Sequence, residues 1–372
     1  MHLHSSFDTG GKELRCVRLI NAFGPGIRHS IVSAQPHAMG AAKYVRPGIS
    51  TSYPRSFPQL SGFPAPGRLR RLAEAMRGYD LVLTYNWGAM DAVMAHTVYG
   101  KAFSLPPLIH HEDGFNEDEA RRLKASRTWY RRIALAGAQA LVVPSIQLER
   151  IACGAWYQPT GRVHRIVNGI ATEQYARPVR KDALRGIVKR KGELWLGTLA
   201  GLRPVKNLGR LVRAMEKLPE NWQLVILGEG PERAALRAEA ERTGVAHRVH
   251  LPGFVADPAK AVGLFDLFAL SSDSEQFPIS VVEAMAAGLA VAAPAVGDIA
   301  AMVDQQNLPF IVAPDDEAAL SAALAQLADD GELRSRIGAA NRVRAAAEFD
   351  EADMIEAYRA LYARVLDHQD LP

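Results

Sequence analysis

The chain has 372 residues, 48% of them hydrophobic, with 44 basic and 40 acidic residues for a formal net charge of +4. That length and apolar content are enough for two α/β domains with full cores, which excludes a disordered chain. Two cysteines, Cys16 and Cys153, lie far apart without Cys-x-x-Cys or Cys/His spacing, which argues against a disulfide framework or a structural zinc and fits a reducing compartment.

The mild charge does not point to nucleic acid, but it suits an anionic ligand or a lipid surface. Met1 to Lys12 is polar and glycine-rich, so no secretory signal is read there. No run of about 18 apolar residues is present to span a membrane. The expected location is the cytoplasm, with peripheral contact on the inner membrane face.

Met1-His-Leu-His-Ser makes a very short first strand, so the true start is expected upstream or the sheet is expected to be trimmed at an edge. In the first half the pattern then predicts strands at Leu81 to Thr84, Pro107 to His110, Ala140 to Val143 and Val163 to Val167. Helices are predicted at Lys12 to Phe23, Gly67 to Arg77, Gly88 to Tyr99 and Ala120 to Ala136. The segment between Asn168 and Lys191, with Gly169, Pro178 and many cations, reads as a linker.

In the second half, strands are predicted at Leu194 to Leu199, Gln223 to Leu227, Val249 to Leu251, Leu267 to Leu270 and Ala290 to Ala293. Helices fall at Asn207 to Glu216, Pro231 to Thr243, Pro258 to Phe265, Ser280 to Ala287 and Glu317 to Leu327. A terminal helix, Asp350 to Leu366, spaces Met354, Tyr358, Leu361, Tyr362 and Val365 on one face. Alternating strands and helices are the pattern of parallel sheets with crossover helices. The expected domains are 1–170 and 171–349, with 350–372 packing back on the first. Ligands would bind in a cleft at the strand C-terminal ends.

Four loops carry chemistry. Ser271 to Gly288 holds Glu275, then Phe277, Pro278 and Ile279 leading into a helix with Glu283 near its start. A helix N-terminus with its free amides is an anion site. Ser280-Val-Val-Glu283 also has the form of a capping box, which explains Glu283 without any function. The second loop sets Arg203 and Lys206 about Pro204, a pair able to neutralise a diphosphate leaving group without a metal. The third, Leu227-Gly228-Glu-Gly230-Pro-Glu-Arg233, lets backbone approach a ligand. It departs from the Gly-x-Gly-x-x-Gly dinucleotide fingerprint. The fourth is Gly10-Gly11, opening the first helix.

His110-His111-Glu112-Asp113 ends a strand, where active-site groups belong in α/β folds. No third ligand stands at helical spacing and no Asp-x-Asp pair occurs, so neither a metal nor another cofactor is expected. On the predicted helix Ala120 to Ala136, Arg121, Arg122, Lys124, Arg127, Arg131 and Arg132 cluster with Trp129 and Tyr130. They form either a face for anionic lipid or a solvated face balanced by Glu117, Asp118 and Glu119.

Together these elements resemble glycosyltransferase family 4. The resemblance runs along most of the chain and is strongest from Gly197 to Gly297. It is carried by Glu275 and Glu283 as the Glu-x7-Glu element, by Phe277-Pro278, Glu283-Ala-Met-Ala-x-Gly288, Lys206-Asn207 and Gly228-Glu-Gly-Pro231, and by Pro252-Gly253-Phe254 and Val167-Asn-Gly-Ile170.

The resemblance implies the GT-B fold, two Rossmann-like domains facing an interdomain cleft, and retaining transfer from a nucleotide-sugar, by default a UDP-sugar. The acceptor would be a glycan or a lipid-linked saccharide in surface polysaccharide or exopolysaccharide synthesis. It further implies that Lys206 and a nearby arginine hold the diphosphate, Glu283 the ribose and Glu275 the donor sugar. Backbone near Phe254 would read the base, Gly10-Gly11 would close over the phosphates, and His110 or His111 would touch the sugar.

Two departures bear on this. The arginine usual five residues before the lysine is Gly201 here, which leaves the charge to Arg203. The glycine usual after the first glutamate is Gln276. The competing readings are an epimerase or phosphorylase of the same fold, and a non-catalytic nucleotide-sugar binding protein.

Overall fold

The structure is a computed structural model that describes residues 1–115, 117–119, 122–367 and 371. The chain divides into two compact units, Met1–Asn168 with Asp353–Pro372, and Gly169–Ala352.

The first unit is a parallel sheet of β1 (His2–His4), β2 (His29–Ser33), β3 (Thr51–Ser52), β4 (Val82–Tyr85), β5 (Leu108–His111), β6 (Ala140–Val143) and β7 (Val163–Arg165). Its strand order is β3-β2-β1-β4-β5-β6-β7. β1 is therefore not a trimmed edge: His2 pairs with Ile31 on one side and with Leu83 on the other. Three residues suffice because the strand is buried throughout and bonded along both flanks.

One face of this sheet packs on Leu69, Leu72, Met76, Met90, Val93 and Trp156. The other packs on Cys16, Val17 and Ile20 of the helix Gly11–Phe23 and on Met354, Tyr358, Leu361 and Tyr362 of the last helix. That helix, Glu351–Leu366, buries the stripe its spacing predicts.

The second unit is a parallel sheet of β8 (Leu194–Leu199), β9 (Trp222–Leu227), β10 (Val249–Gly253), β11 (Leu267–Ala269), β12 (Val291–Pro294) and β13 (Ile311–Val312). The order is β10-β9-β8-β11-β12-β13. Both sheets are doubly wound, and each reverses strand order once, between β1 and β4 and between β8 and β11. Ligands in such sheets bind beyond the strand C-termini at that reversal.

Several expected elements change. β2, β3 and β13 have too few apolar residues in a row to be read as strands. Pro258 to Phe265 forms two short 3₁₀ turns, Pro258–Lys260 and Val262–Leu264, rather than a helix. The segment read as a linker is partly core: Ile170, Tyr175 and Leu184 are buried and Thr172–Tyr175 is helical.

Candidate active site

In the second unit the loops that leave β8 and β11 flank the reversal point, and they hold the cation pair and the first glutamate. Lys206 Nζ lies 2.5 Å from Glu275 Oε1, and Ser272 Oγ donates to the same oxygen at 2.7 Å. The two loops are latched by further bonds. Asn207 Nδ2 donates to Asp273 Oδ1 at 2.9 Å, the Asp273 amide donates to Val205 O, and Ser271 Oγ donates to Lys206 O. Asn207 takes a left-handed backbone, φ 44°, which turns the chain from Lys206 into the next helix. Arg210 supports the assembly from beneath, 3.0 Å from Asp273 and 3.1 Å from Asp315.

The Glu275 loop is clamped on its far side by Gly297, whose φ is 58°. A Cβ there would stand 2.6 Å from Gln276 O and 2.7 Å from Glu275 O, so only glycine permits this approach. The Asp298 amide donates to the backbone Gln276 O, a bond that holds the loop whatever side chain stands at 276. Gly228 plays the matching part after β9, where a Cβ would collide with Ala200 O.

The helix after Glu275 runs Ile279–Ala286, with Pro278 as its N-cap and no side chain capping it. The capping box is thereby corrected. Proline fixes the entry two residues earlier than Ser280 would, and Glu283 lies in the second turn, out of reach of the cap. Glu283 is buried and accepts instead from Tyr175 Oη at 2.8 Å. Phe277 is buried, edge-on to Phe349, which anchors the turn.

Arg203 is exposed and pairs with no other side chain among the described residues. Its Nε lies 3.5 Å from where a Cβ on Gly201 would sit. A side chain at position 201 would therefore start in van der Waals contact with this guanidinium. Phe254, after β10, is 61% exposed, which leaves its backbone accessible.

In the first unit Gly10 is the N-cap of Gly11–Phe23, extended and without a side-chain cap. Lys12 pairs with Glu13 and donates to Ser6 O at 3.2 Å. These groups lie where β1 ends, at the other reversal point.

The two histidines do not fit a direct contact with a sugar, and that expectation is corrected. β5 runs one residue further than predicted, and the two rings project to opposite faces of the sheet, where packing buries them to 0% and 1% exposure. His110 Nδ1 is 2.8 Å from Thr84 Oγ1. His111 has both nitrogens engaged, with Thr84 O and with Tyr362 Oη at 3.0 Å. Burial, with Arg15 nearby, lowers the His111 pKa to about 3 and keeps it neutral.

Asp113, two residues beyond, is held by Arg15, which also donates to Asn168 Oδ1 at 2.8 Å. Burial alone would raise the Asp113 carboxyl, but the Arg15 guanidinium overrides this and holds it below the usual carboxylate range.

The basic cluster is also corrected, and Arg121 lies outside the described residues. The helix is Ala125–Ala134. Arg131 is fully buried, bonded to both Glu119 oxygens and lying 4.9 Å from the rings of Trp87 and Trp156. Lys124 and Arg127 pair with Asp118, and Arg127 also pairs with Glu119. Arg132 lies between Trp129 and Tyr157, 4.5 and 4.1 Å from their rings. The exposed residues include three large apolar ones, Trp129, Ile133 and Tyr157, at 61%, 55% and 70%, beside the exposed Arg122 and Lys124.

Sequence reasoning missed Tyr175, Ser272, Arg15 and Asn168. Tyr175 and Arg15 carry no local signal, because each meets its partner only through the fold, whereas Ser272 stands three residues before Glu275 and Asn168 lies in Val167-Asn-Gly-Ile170.

Residues 180–344 match the family model described as glycosyl transferases group 1. The chain is 29% identical over 223 residues to EpsF of Bacillus subtilis, covering 54% of this chain and 56% of that protein. Against the GDP-mannose-dependent alpha-mannosyltransferase of Mycobacterium tuberculosis it is 26% identical over 258 residues, 65% of this chain and 63% of the relative. The chain thus spans less than two thirds of the length of either. Against the D-inositol 3-phosphate glycosyltransferase of Xylanimonas cellulosilytica it is 29% identical over 342 residues, 86% and 77% of the two chains.

Among solved structures, Anabaena Alr3699/HepE in complex with UDP superposes with a TM-score of 0.79 at 18% identity, covering 98% and 99% of the chains. Sucrose-phosphate synthase of Thermosynechococcus elongatus gives 0.77 at 21%, covering 98% of both. At these identities the superpositions speak to fold alone. Taken with the two doubly wound sheets, the comparisons show the GT-B fold, and the match to glycosyl transferases group 1 lies within the second unit.

Proposed function

We propose that this chain is a retaining glycosyltransferase that moves a sugar from a nucleotide diphosphate-sugar, a UDP-sugar, to a glycan or lipid-linked saccharide in surface polysaccharide or exopolysaccharide synthesis. The observation that carries the reading is the Lys206–Glu275–Ser272 constellation at the reversal point of the second sheet, ahead of an uncapped helix N-terminus with Glu283 inside it. UDP is favoured because a structural neighbour is described with UDP and with UDP-glucose. The relatives named for GDP-mannose make the base a point for experiment.

In this reading the anomeric carbon–oxygen bond to the diphosphate breaks through a loose transition state. Lys206, Arg203 and the amides that open Ile279–Ala286 stabilise the departing diphosphate, a role that elsewhere is worth about 3–4 kcal/mol per donor. A diphosphate oxygen takes the acceptor proton, and no metal is required. Glu283 holds the ribose, oriented by Tyr175. Glu275 meets the sugar once Lys206 turns to the phosphate. Backbone beside Phe254 reads the base, and the Gly10-Gly11 amides approach the phosphates. His110 and His111 act from within the sheet, by holding the strand end that presents Asp113. The protein would work on the cytoplasmic face of the membrane in peripheral contact with lipid.

The test is a panel of UDP- and GDP-sugars, scored first by thermal shift and then by product analysis with and without saccharide acceptors. A ligand at 100 times its Kd adds about 2.7 kcal/mol to stability. Formation of an α- or β-linkage that matches the donor anomer supports the reading. Donor isomerisation without acceptor would indicate an epimerase, and binding without turnover a non-catalytic protein.

A further inference from the structure

Among the described residues, one group of three metal-ligating side chains has its ligand atoms close together, within 4.8 Å of one another: His2, His4 and Cys16, all buried. Local spacing hides it. His2 and His4 alternate on β1 and so project to one face of the sheet, where Cys16 comes down from the helix Gly11–Phe23.

The distances are those of a coordination shell. Cys16 Sγ lies 3.4 Å from His2 Nδ1, and Tyr85 Oη lies 3.1 Å from that nitrogen and 3.6 Å from the sulfur. A tetrahedral zinc with bonds of about 2.3 Å to sulfur and about 2.0–2.1 Å to nitrogen separates its ligand atoms by roughly 3.3–3.6 Å. His4 lies parallel over the Tyr85 ring, with centroids 3.9 Å apart and planes at 7°, and it offers a nitrogen within 4.8 Å of the other ligand atoms.

Two further observations point to a missing partner. Both nitrogens of His4 lack a hydrogen-bond partner although the residue is 0% exposed. Buried polar atoms are seldom left so, because each costs its desolvation. Hydrogen bonds among Tyr85, Cys16 and His2 account for those three groups but leave His4 unexplained. In addition, His2 Nε2 is 3.0 Å from His29 Nδ1, the second-ring-nitrogen contact that orients metal-bound histidines.

We propose that His2, His4 and Cys16, with the Tyr85 hydroxyl at the fourth position, form a structural zinc site that pins β1 to the first helix. The site would fix the turn Ser5 to Gly10, and with it the Gly10-Gly11 amides, without taking part in the transfer step. Binding displaces one proton, from the Cys16 thiol to solvent, and forms the zinc–sulfur bond.

The experiment uses the full chain without a polyhistidine tag, expressed in zinc-supplemented medium. Metal content is measured as purified and after refolding with and without zinc, and cobalt is then loaded as a spectroscopic probe. We expect one equivalent of metal, a raised Tm, and a thiolate-to-cobalt charge-transfer band. The band should vanish in Cys16→Ser and persist in Cys153→Ser. His4→Gln should lose metal, and His29→Asn should bind it about 10- to 100-fold more weakly. Less than a tenth of an equivalent in the folded unmodified protein, under every condition, overturns the proposal whatever the variants do. So does an unchanged band in Cys16→Ser. Nucleotide-sugar turnover is read separately, so its absence bears on the proposed function and not on the zinc site.

Discussion

Lys206 and Glu275 stand 69 positions apart in the chain and 2.5 Å apart in the structure. The pair sits at the one point where the second sheet reverses direction, and both side chains are only slightly exposed, 16% and 12%. A diphosphate arriving there meets a lysine already compensated by a carboxylate. The anion must therefore draw Lys206 away, which leaves Glu275 free to accept from sugar hydroxyls. Binding and preparation of the carboxylate become one event.

Lys206→Ala should therefore cut kcat by about two to three orders of magnitude, in line with loss of one leaving-group donor. Glu275→Gln keeps the shape and the Ser272 contact but removes the charge. It should lower kcat while leaving the Kd of free nucleotide diphosphate within a few-fold. Equal loss of nucleotide affinity in both variants would contradict this division, and isothermal titration with steady-state rates would decide it.

Glu283 and Tyr175 give a second, graded test. Glu283→Ala should raise the Kd for free nucleotide diphosphate, because the ribose loses its acceptor. Tyr175→Phe removes only a 2.8 Å hydrogen bond to that carboxylate. A hydrogen bond to a charged group contributes about 1.5–3 kcal/mol, so an effect of about 10- to 100-fold at most, smaller than that of Glu283→Ala, is expected. A larger effect from Tyr175→Phe than from Glu283→Ala would place the tyrosine, and not the glutamate, against the ligand.

The donor-side loops were legible because strand ends announce themselves: Leu194–Leu199 is an apolar run followed at once by Arg203, Pro204 and Lys206. What periodicity does not encode is which distant segments become neighbours, so Tyr175 could not be assigned as the partner of Glu283. Near strand ends a shift of one residue changes everything. With β5 ending at His111 and not at His110, two apparent surface histidines become interior ones. The same blindness made Arg131 look like a surface cation, because Glu119 returns to meet it only in the fold. His2, His4 and Cys16 form no sequence motif, since a strand and a helix supply them separately.

The placement of Arg203 over Gly201 sets up a compensation test. Arg203→Ala should reduce kcat by about two orders of magnitude. Gly201→Arg alone should be neutral or harmful, since its side chain would enter space next to Arg203 Nε, 3.5 Å from the new Cβ. In the double variant that space is open, and recovery of at least tenfold would show that both positions address one phosphate. A near-normal Arg203→Ala enzyme would remove Arg203 from the site.

A cation-based account of the leaving group also makes a prediction about metals. Turnover in a chelator should match turnover with added magnesium or manganese, in assays short enough to spare a buried structural ion. Loss of turnover on chelation within minutes, restored by either ion, would overturn Arg203 and Lys206 as the groups that carry the diphosphate charge.

Membrane contact should depend on rings more than on charge. Lys124 and Arg127 are paired with Asp118 and Glu119, so little free positive charge remains on that helix, whereas Trp129, Ile133 and Tyr157 are open to solvent. Tryptophan and tyrosine settle at the headgroup level of a bilayer, and buried apolar area sets the strength of interfacial binding. Arg132, held between two rings, can reach a lipid phosphate from the same face. The expected result is co-sedimentation with anionic vesicles that survives moderate salt. Trp129→Ser with Tyr157→Ser should abolish it and leave donor hydrolysis unchanged. Arg131→Glu is a different matter, because it strands Glu112 in the interior without its cation and leaves Glu119 with Arg127 alone. Breaking a buried pair of this kind costs about 3–5 kcal/mol, so that variant should show a lowered Tm and not a selective loss of vesicle binding. An unmodified protein that stays in the supernatant at low salt would reduce this face to ordinary surface.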